Sequence, residues 1–415
     1  MRILLPEGSS LSARQAVNAL ASSDYEIDVC DPDEWCICRF SRNVHKVYRT
    51  PAINEDPITY LNAVMTVLTE RHYDVLLPIH ENAYLFANEY DQLSKLTRIP
   101  IASFEAFERV QSKVEFMRLL EELDLPHPKT KYALAVDDVL NCANFPVYVK
   151  APFGTAGSGT WLVKDPAGLK DVALRLERDH SVEGRVQAII QDVAPGTLCV
   201  AQAVFNHGSL LAVHMYEQSK YGVGGSASAR IAIDHPVVRE HMQKIGAHLQ
   251  WHGSLMIDYL FDSTSNQVAY IEANPRPGET MNATESGVNL IQMLVRIAME
   301  DVPSPVLGER IGIRSHSGIA VLLGIAQRSG SRWAIFKESV KMMFKQGEYR
   351  HSKEDLTPVM KDWPSVVPML VIFFTLMMRP SSVEVLSAKT IGRYSLGVRA
   401  VSIIRSREHR RDYTA

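Results

Sequence analysis

The sequence predicts an α/β fold that passes into an α+β middle part and ends in a mostly helical extension. Three observations carry this. Over residues 1–100, short apolar runs alternate with stretches of helical spacing, the pattern of a parallel sheet with crossover helices. Between 145 and 274, apolar runs follow one another across short glycine-rich or polar links, the pattern of antiparallel pairs. Beyond about residue 300 helical periodicity dominates and no repeat is visible. Domain boundaries are therefore expected near 100 and 300: a Rossmann-like sheet domain over 1–100, a central domain over 101–300 and an extension over 301–415.

Each element has a local reason. RILLP predicts a first strand, 11–21 a helix, YEIDVCD a second strand, 57–71 a helix, and DVLLPI (74–79) a third strand. Gly8-Ser9-Ser10 lacks the spacing of a dinucleotide-binding turn and reads as a plain strand-to-helix turn. Ser103 is an N-cap candidate, and SFEAFERVQSKVEFMRLLEELDLPHP predicts one helix that stops at Pro126 and Pro128. In FPVYVKAPFGTAGSGTWLVKD (145–165), two strands flank a glycine-rich loop. QAIIQDVAPGTLCVAQAV (187–204) gives two strands broken at Pro195-Gly196, and 236–251 is helical. GSLMIDYLFD (253–262) and QVAYIEAN (267–274) predict an antiparallel hairpin joined by four polar residues, 263–266.

The bulk numbers are those of an ordinary soluble protein: 415 residues, 46% hydrophobic, 22% charged. A net charge of −3 sets up no global field for nucleic acid or an anionic membrane, and the basic end (Arg405, Arg407, Arg410, Arg411) reads as a solvated face. Five cysteines with no paired C-x-x-C argue against zinc and for reduced thiols in a cytoplasmic protein. The first residues lack the long apolar stretch of a signal peptide. SVVPMLVIFFTLMM (365–378) is nearly all apolar but shorter than the ~18–20 residues a spanning helix needs. A buried core helix is expected there, with an interfacial anchor as the alternative.

The chemistry concentrates in YIEANPRPG (270–278). On a strand, Ile271 and Ala273 would enter the core, while Glu272 and Asn274 share the other face and Arg276 continues the row. An acid, an amide oxygen and a guanidinium suit a divalent metal and the anion it neutralises. Asp258 on the partner strand adds a second carboxylate, and such hard oxygen ligands fit Mg²⁺. The loop with Gly154, Gly157 and Gly159 can cradle phosphate oxygens, and Lys150 ends the strand that enters it. A lysine at a strand end can equally snorkel to solvent. His80 and Glu81 follow an apolar strand and are pocket candidates of low weight. His214, with Tyr216 and Glu217, precedes the glycine-rich turn 222–225 and could line an acceptor pocket, against a purely structural reading.

Taken in order, SKVEFMRLLEELDLPHPKT, PVYVKAPFGTAGSGTWLV, IIQDVAPG and the 14-residue step from Asp258 to EANPRPG resemble the ATP-grasp enzymes of the carbamoyl phosphate synthase-like and biotin carboxylase-like branch, over about residues 1–300. The resemblance implies an ATP-grasp fold whose central domain clamps ATP between two subdomains, behind a parallel-sheet pre-ATP-grasp domain. It implies that Lys113 and Lys150 contact ATP phosphates, Lys150 near the α-phosphate and adenine. Phe153, Gly154, Thr155, Ala156, Gly157, Ser158 and Gly159 would form a lid over the β- and γ-phosphates. Gln191, Asp192, Val193 and Ala194 would be the hinge that reads adenine, and Asp258, Glu272 and Asn274 would hold two Mg²⁺, for which Mn²⁺ could substitute. Arg276 would steady the transferring phosphoryl group. Two departures stand out. The stretch Gly196-Thr197-Leu198-Cys199 lacks the ribose-binding glutamate of many members, and Met256 stands where related D-alanine ligases have an arginine. Arg230 could supply that charge from a neighbouring strand, or be a surface arginine. Asn274 to Thr280 also fits the N-x-x-P-G-x-T of those ligases, which would aim the Gly278 N–H at a developing oxyanion.

The activity so implied is an ATP-dependent carboxylate–amine ligase working through an acyl phosphate and releasing ADP and phosphate. The alternatives are a bicarbonate-activating carboxylase or carbamoyl-type enzyme, or an ATP-binding protein without turnover. Expected partners are a small carboxylate and an amine, amino acids among them, with no nucleic acid and no membrane. The extension could cap the site, form a homodimer interface or simply pack.

Overall fold

In a computed structural model, the described residues are 1–412 apart from 155, 156, 158, 180–186 and 309, with backbone alone at 389–391 and 408–412. The N-terminal sheet contains β1 (Arg2–Leu5), β2 (Glu26–Asp31), β3 (Val44–Arg49) and β4 (Val75–Leu76) in the order β3-β2-β1-β4, all parallel. β3 has no counterpart in the sequence reading. VHKVYR is an edge strand with three exposed residues, so it shows none of the apolar continuity that marks β1 and β2. The expected strand over 74–79 shrinks to two residues. Ser10 caps the helix Leu11–Leu20 by accepting from the Ala13 amide (2.9 Å). Asp56 caps Pro57–Glu70, with proline just inside the start.

Residues 104–122 form two helices, Phe104–Gln111 and Lys113–Glu122, where one was expected. Ser112 breaks the run and caps the second helix, and the Lys113 amide donates to the Pro152 carbonyl (2.9 Å). The break ties the start of that helix to the glycine-rich loop.

A small sheet follows, built from β5 (Thr130–Ala133), β6 (Val147–Lys150), β7 (Thr160–Val163) and β8 (Ala188–Asp192) in the order β5-β8-β6-β7. The larger sheet contains β9 (Thr197–Asn206), β10 (Ser209–Tyr221), β11 (Ala227–Ile233), β12 (Gly253–Asp262), β13 (Gln267–Asn274), β14 (Arg314–His316) and β15 (Ser352–Glu354), in the order β13-β12-β9-β10-β11-β14-β15. Its last two strands come from the C-terminal part, which is helical otherwise. At three residues each, they are too short to show a period-two signal.

One face of the large sheet enters the main core, where Leu255, Ile257, Tyr259, Tyr270 and Ala273 meet Phe107, Phe116 and Trp251. Beside it, His252 stacks on His207 with ring centres 4.2 Å apart. Burial, and then the neighbouring imidazole, push His252 down to about 4. In the unfolded chain this ring takes its proton near 6.5, so stability is complete above that pH and is lost as pH falls toward 4. We expect the unfolding free energy to drop by roughly 1–2 kcal/mol over that interval from this residue. Denaturant titrations of His252→Asn should show a flatter acid limb, and an unchanged slope would contradict the assignment.

The apolar segment forms the helix Val366–Met378, but only Leu376 is buried in it. The expected buried core helix is thus a surface helix. It rests one side on Gly318–Ser329 and Arg332–Met343 and exposes Leu370, Val371, Phe374 and Met378. Among the described residues, no helix is long and apolar enough to cross a membrane.

Candidate active site

The hairpin β12–β13 sets the site. Asp258 and Glu272 stand directly opposite in the antiparallel register, with Met256 opposite Asn274. Between Asp258 and Tyr259 the register shifts, because Ile271 is an extra residue on β13. This corrects the alternation read from the sequence. Tyr270 and Ala273 face the core, while Ile271 is a half-buried bulge outside it. The bulge frees the Ile271 carbonyl, which accepts a hydrogen bond from Lys150 Nζ (3.1 Å).

Lys150 does not snorkel; it is 5% exposed. Lys113, 4% exposed, joins it from the helix start, with Nζ 3.3 Å from Glu272 Oε1 and 2.9 Å from the Gly154 carbonyl. Burial pushes the Lys150 ammonium down to about 8. Lys113 adds to that shift, while Glu272 and Asp258 oppose it. Burial, and then Glu272, push Asp258 up to about 7 against the pull of Arg276, Lys150 and Lys113. Asp258 Oδ1 is buried with no hydrogen-bond partner among the described residues. Two opposed carboxylates, one with an orphaned oxygen, beside an amide and two buried lysines are a donor set that a hard divalent cation and an anion would complete. Asn274 lies on the same strand face and is 8% exposed.

The loop glycines are in place for close backbone approach. Gly154, Gly157 and Gly159 have φ of 155°, 81° and 73°, and the Gly159 carbonyl accepts from Ala151 N (2.7 Å). Phe153 is buried edge-on to Tyr84, under the Arg405 guanidinium (4.9 Å). Thr155, Ala156 and Ser158 lie outside the described residues. The expected hinge, Gln191–Ala194, runs from the end of β8 into the following linker. Gln191 and Asp192 belong to β8, and the Gln191 amide is spent on Thr130 Oγ1 (3.0 Å) and Met117 Sδ (3.0 Å). The linker begins at Val193 and Ala194.

Arg276 reaches Glu81, with Nη1 2.8 Å from Oε1. Gly278 has φ of 67°, and a Cβ there would meet Met256 Sδ at 2.7 Å. Its neighbours are fixed by Gln202 Nε2, which donates to the Pro277 (2.6 Å) and Glu279 (3.0 Å) carbonyls. Arg230 is buried, not a surface residue, and pairs with Glu279 (2.9 Å) and Asp355 (3.5 Å). Burial alone would depress its basicity, but Glu279, Tyr216 and Asp355 more than reverse that, so it stays charged. His214 is a core histidine bonded to Asn282 Oδ1 (2.9 Å). His80 packs at a tilt against Tyr394 (ring centres 4.1 Å apart), and its basicity is pushed well down by burial first and Arg276 second.

Sequence reasoning missed Gln202, Glu279, Asp355 and Tyr394. Nothing local marks Gln202, Asp355 or Tyr394, which meet the site only through the fold, while Glu279 sits at the open position of the Asn274–Thr280 stretch. A separate cluster of Glu26, Asp28 and His45 is already neutralised by Arg2 and Arg71.

No family model matches the chain. Among curated proteins, it is 24% identical over 325 residues to the carbamoyl phosphate synthase large chain of Methanospirillum hungatei, covering 74% of this chain and 29% of that one. It is 25% identical over 224 residues to that of Methanoculleus marisnigri, covering 50% and 21%. The chain thus spans under a third of the length of these relatives. Among solved structures, the biotin carboxylase domain of Hydrogenobacter thermophilus 2-oxoglutarate carboxylase superposes with a TM-score of 0.62 at 15% identity, over 75% of this chain and 73% of that one. The L-amino acid ligase of Bacillus licheniformis gives 0.55 at 16% identity, over 74% of each. The chain has the ATP-grasp fold. Its architecture combines a parallel N-terminal sheet, a mixed large sheet and a mainly helical C-terminal extension.

Proposed function

We propose that the chain is an ATP-dependent carboxylate–amine ligase that forms an amide bond through an acyl phosphate. The observation that carries this reading is the convergence of Asp258, Glu272, Lys113 and Lys150, with one Asp258 oxygen lacking a hydrogen-bond partner among the described residues. A carboxylate oxygen of the acid attacks the γ-phosphorus and ADP leaves. The amine then attacks the acyl carbon, phosphate leaves, and the nitrogen gives up a proton. Such transfer needs positioning and charge neutralisation more than a protein nucleophile. Asp258, Glu272 and Asn274 would hold two Mg²⁺, or Mn²⁺ in their place, and these ions supply charge neutralisation at the phosphates. Lys113 and Lys150 orient phosphate oxygens, Lys150 gaining its full charge as an anion enters. Arg276 steadies the transferred group, and the Gly278 N–H serves the oxyanion. The loop around Gly154, Gly157 and Gly159 excludes water from a hydrolysable intermediate.

The acceptor end favours an amine. Glu81 pairs with Arg276 (2.8 Å) and Glu279 with Arg230 (2.9 Å), which leaves the buried Glu7 near Tyr394 as a further acceptor that an ammonium group, an amino acid's among them, would meet. Activation of bicarbonate is the second reading, supported by the curated relatives being carbamoyl phosphate synthases.

The test is a matrix of acids against amines assayed for phosphate and nucleotide. ADP and phosphate should form only when both an acid and an amine are present. Turnover on bicarbonate alone would move the assignment to carboxylase chemistry. AMP and pyrophosphate as products would overturn both, and tight ATP binding with no turnover on any pair would leave a binding protein.

A further inference from the structure

We infer that the C-terminal helices carry a docking surface for an anionic lipid bilayer, so that the enzyme works as a peripheral membrane protein. This departs from the expectation of no membrane partner and does not depend on the proposed reaction. The helix Arg332–Met343 buries Ile335 and Glu338 and turns the other way Trp333 (69% exposed), Phe336 and Met343 (76%), with Phe344 (65%) at its end. At about 100° per residue, these four side chains fall within an arc of roughly 100°. Trp333 stacks on Phe336 with ring centres 5.8 Å apart, so the two rings form one plate.

The neighbouring helix Val366–Met378 continues that face. Arg332 donates to the Met378 carbonyl (2.6 Å), which brings the start of one helix to the end of the other. Val371, Phe374 and Met378 then extend the apolar stripe at helical spacing. Contiguous apolar surface of this kind is unusual on a soluble monomer and marks an interaction site.

Charge decides what covers it. From 328 to 345 the chain carries Arg328, Arg332, Lys337, Lys341 and Lys345 against one acid, Glu338. Glu338 points inward, where it accepts from Tyr349 (2.6 Å) and pairs with Lys220. Glu348, the next acid, is drawn to the same lysine (2.6 Å). From 366 to 382 there is no acid at all, and exposed Arg379 closes the helix. The apolar stripe is therefore flanked by Arg332 on one side and exposed Lys337 on the other, with Lys341 beyond it drawn to Glu338 (3.5 Å). A second copy of this chain would set these cations against each other. An anionic headgroup layer would neutralise them while the acyl region takes up the indole, phenyl and thioether groups, as in interfacial helices.

The full-length protein should co-sediment with vesicles of phosphatidylcholine carrying about 30% phosphatidylglycerol and far less with phosphatidylcholine alone. Added salt should release it. The double variant Trp333→Ser/Phe374→Ser should weaken partitioning by about tenfold or more. Lys337→Glu/Lys345→Glu, which alters only exposed side chains, should do the same with thermal unfolding unchanged. ATP turnover in solution should not move in either variant. Equal sedimentation with both vesicle types, or no effect of either variant, would overturn the inference. So would light scattering that shows a dimer lost in the Trp333→Ser/Phe374→Ser protein, without lipid binding by the parent.

Discussion

Glu272→Gln is expected to lower ATP turnover by roughly 10²–10³-fold, the scale seen when one preorganised charge-stabilising group is removed from a closed site. The substitution keeps shape and hydrogen-bonding capacity and removes one charge. In the present arrangement, Glu272 neutralises Lys113 at 3.3 Å and stands opposite Asp258, whose carboxyl is pushed up to about 7 by burial first and by Glu272 second. Two consequences follow with opposite signs. Cation binding should weaken, so the Mg²⁺ needed for half-maximal rate should rise. Thermal stability should stay level or improve, because a carboxylate pair that repels itself in a buried site is relieved. Phosphate release measured against Mg²⁺ concentration, beside a melting curve, reads both. A variant that loses activity only because it unfolds would show the reverse stability change. Turnover equal to that of the parent would remove Glu272 from the site. Lys150→Ala should cut turnover to a comparable degree and raise the KM for ATP, since its buried ammonium stands at the mouth of the glycine-rich loop where a phosphate would enter.

Much of this site was legible because short-range pattern and chemistry coincide there. Glu272 and Asn274 lie on one strand and their acid partner on the next, with Arg276 in the bend that follows and not in the strand row, and a hairpin forces the carboxylates together with no distant part of the chain involved. The bulge at Ile271 was not legible. A period-two reading assumes an unbroken ladder, and one inserted residue shifts which side chains face the core. The break at Ser112 was hidden for a related reason: the apolar spacing continues across it, and what stops the helix is a backbone bond to Pro152, forty residues on. Nor were the partners of the Gln191 side chain, Met117 and Thr130, which come from two other segments. At the C-terminal end, the apolar run over 365–378 was read as core on composition alone. Burial is a property of what packs alongside, and the chain supplies neighbours for only one side of that helix. Tyr394 and Leu396 reach the N-terminal sheet, where the Leu396 amide donates to Glu81 (2.6 Å). No local signal in the sequence announces a contact across 315 residues.

Arg230→Met is expected to destabilise the fold by about 3–5 kcal/mol, the range for removing one partner from a buried ion pair. The guanidinium is 2% exposed, and it is the cation between Glu279 and Asp355. Each acid has a neutral donor as well, Gln15 Nε2 for Glu279 (2.9 Å) and Ser315 Oγ for Asp355 (3.0 Å), but neither donor cancels a charge. With the arginine gone, Asp355, already driven well up by burial, holds its proton to still higher pH. The destabilisation should therefore be largest above neutrality and shrink as the medium is acidified. Urea unfolding of Arg230→Met, Asp355→Asn and the double variant closes a cycle. If the arginine serves chiefly to hold these acids, the double variant recovers a substantial part of the loss. Arg230→Lys should keep most of the stability, because a single ammonium still neutralises the pair, yet lose the planar fork that a carboxylate substrate would grip at two points. A raised KM for the acid in Arg230→Lys, with stability near that of the parent, places the residue against substrate. An unchanged KM in that variant, with recovery in the double variant, makes it a positioning residue for Glu279 and the Gly278 turn. A denaturation midpoint for Arg230→Met equal to the parent's would show that the two acids do not depend on this cation at all.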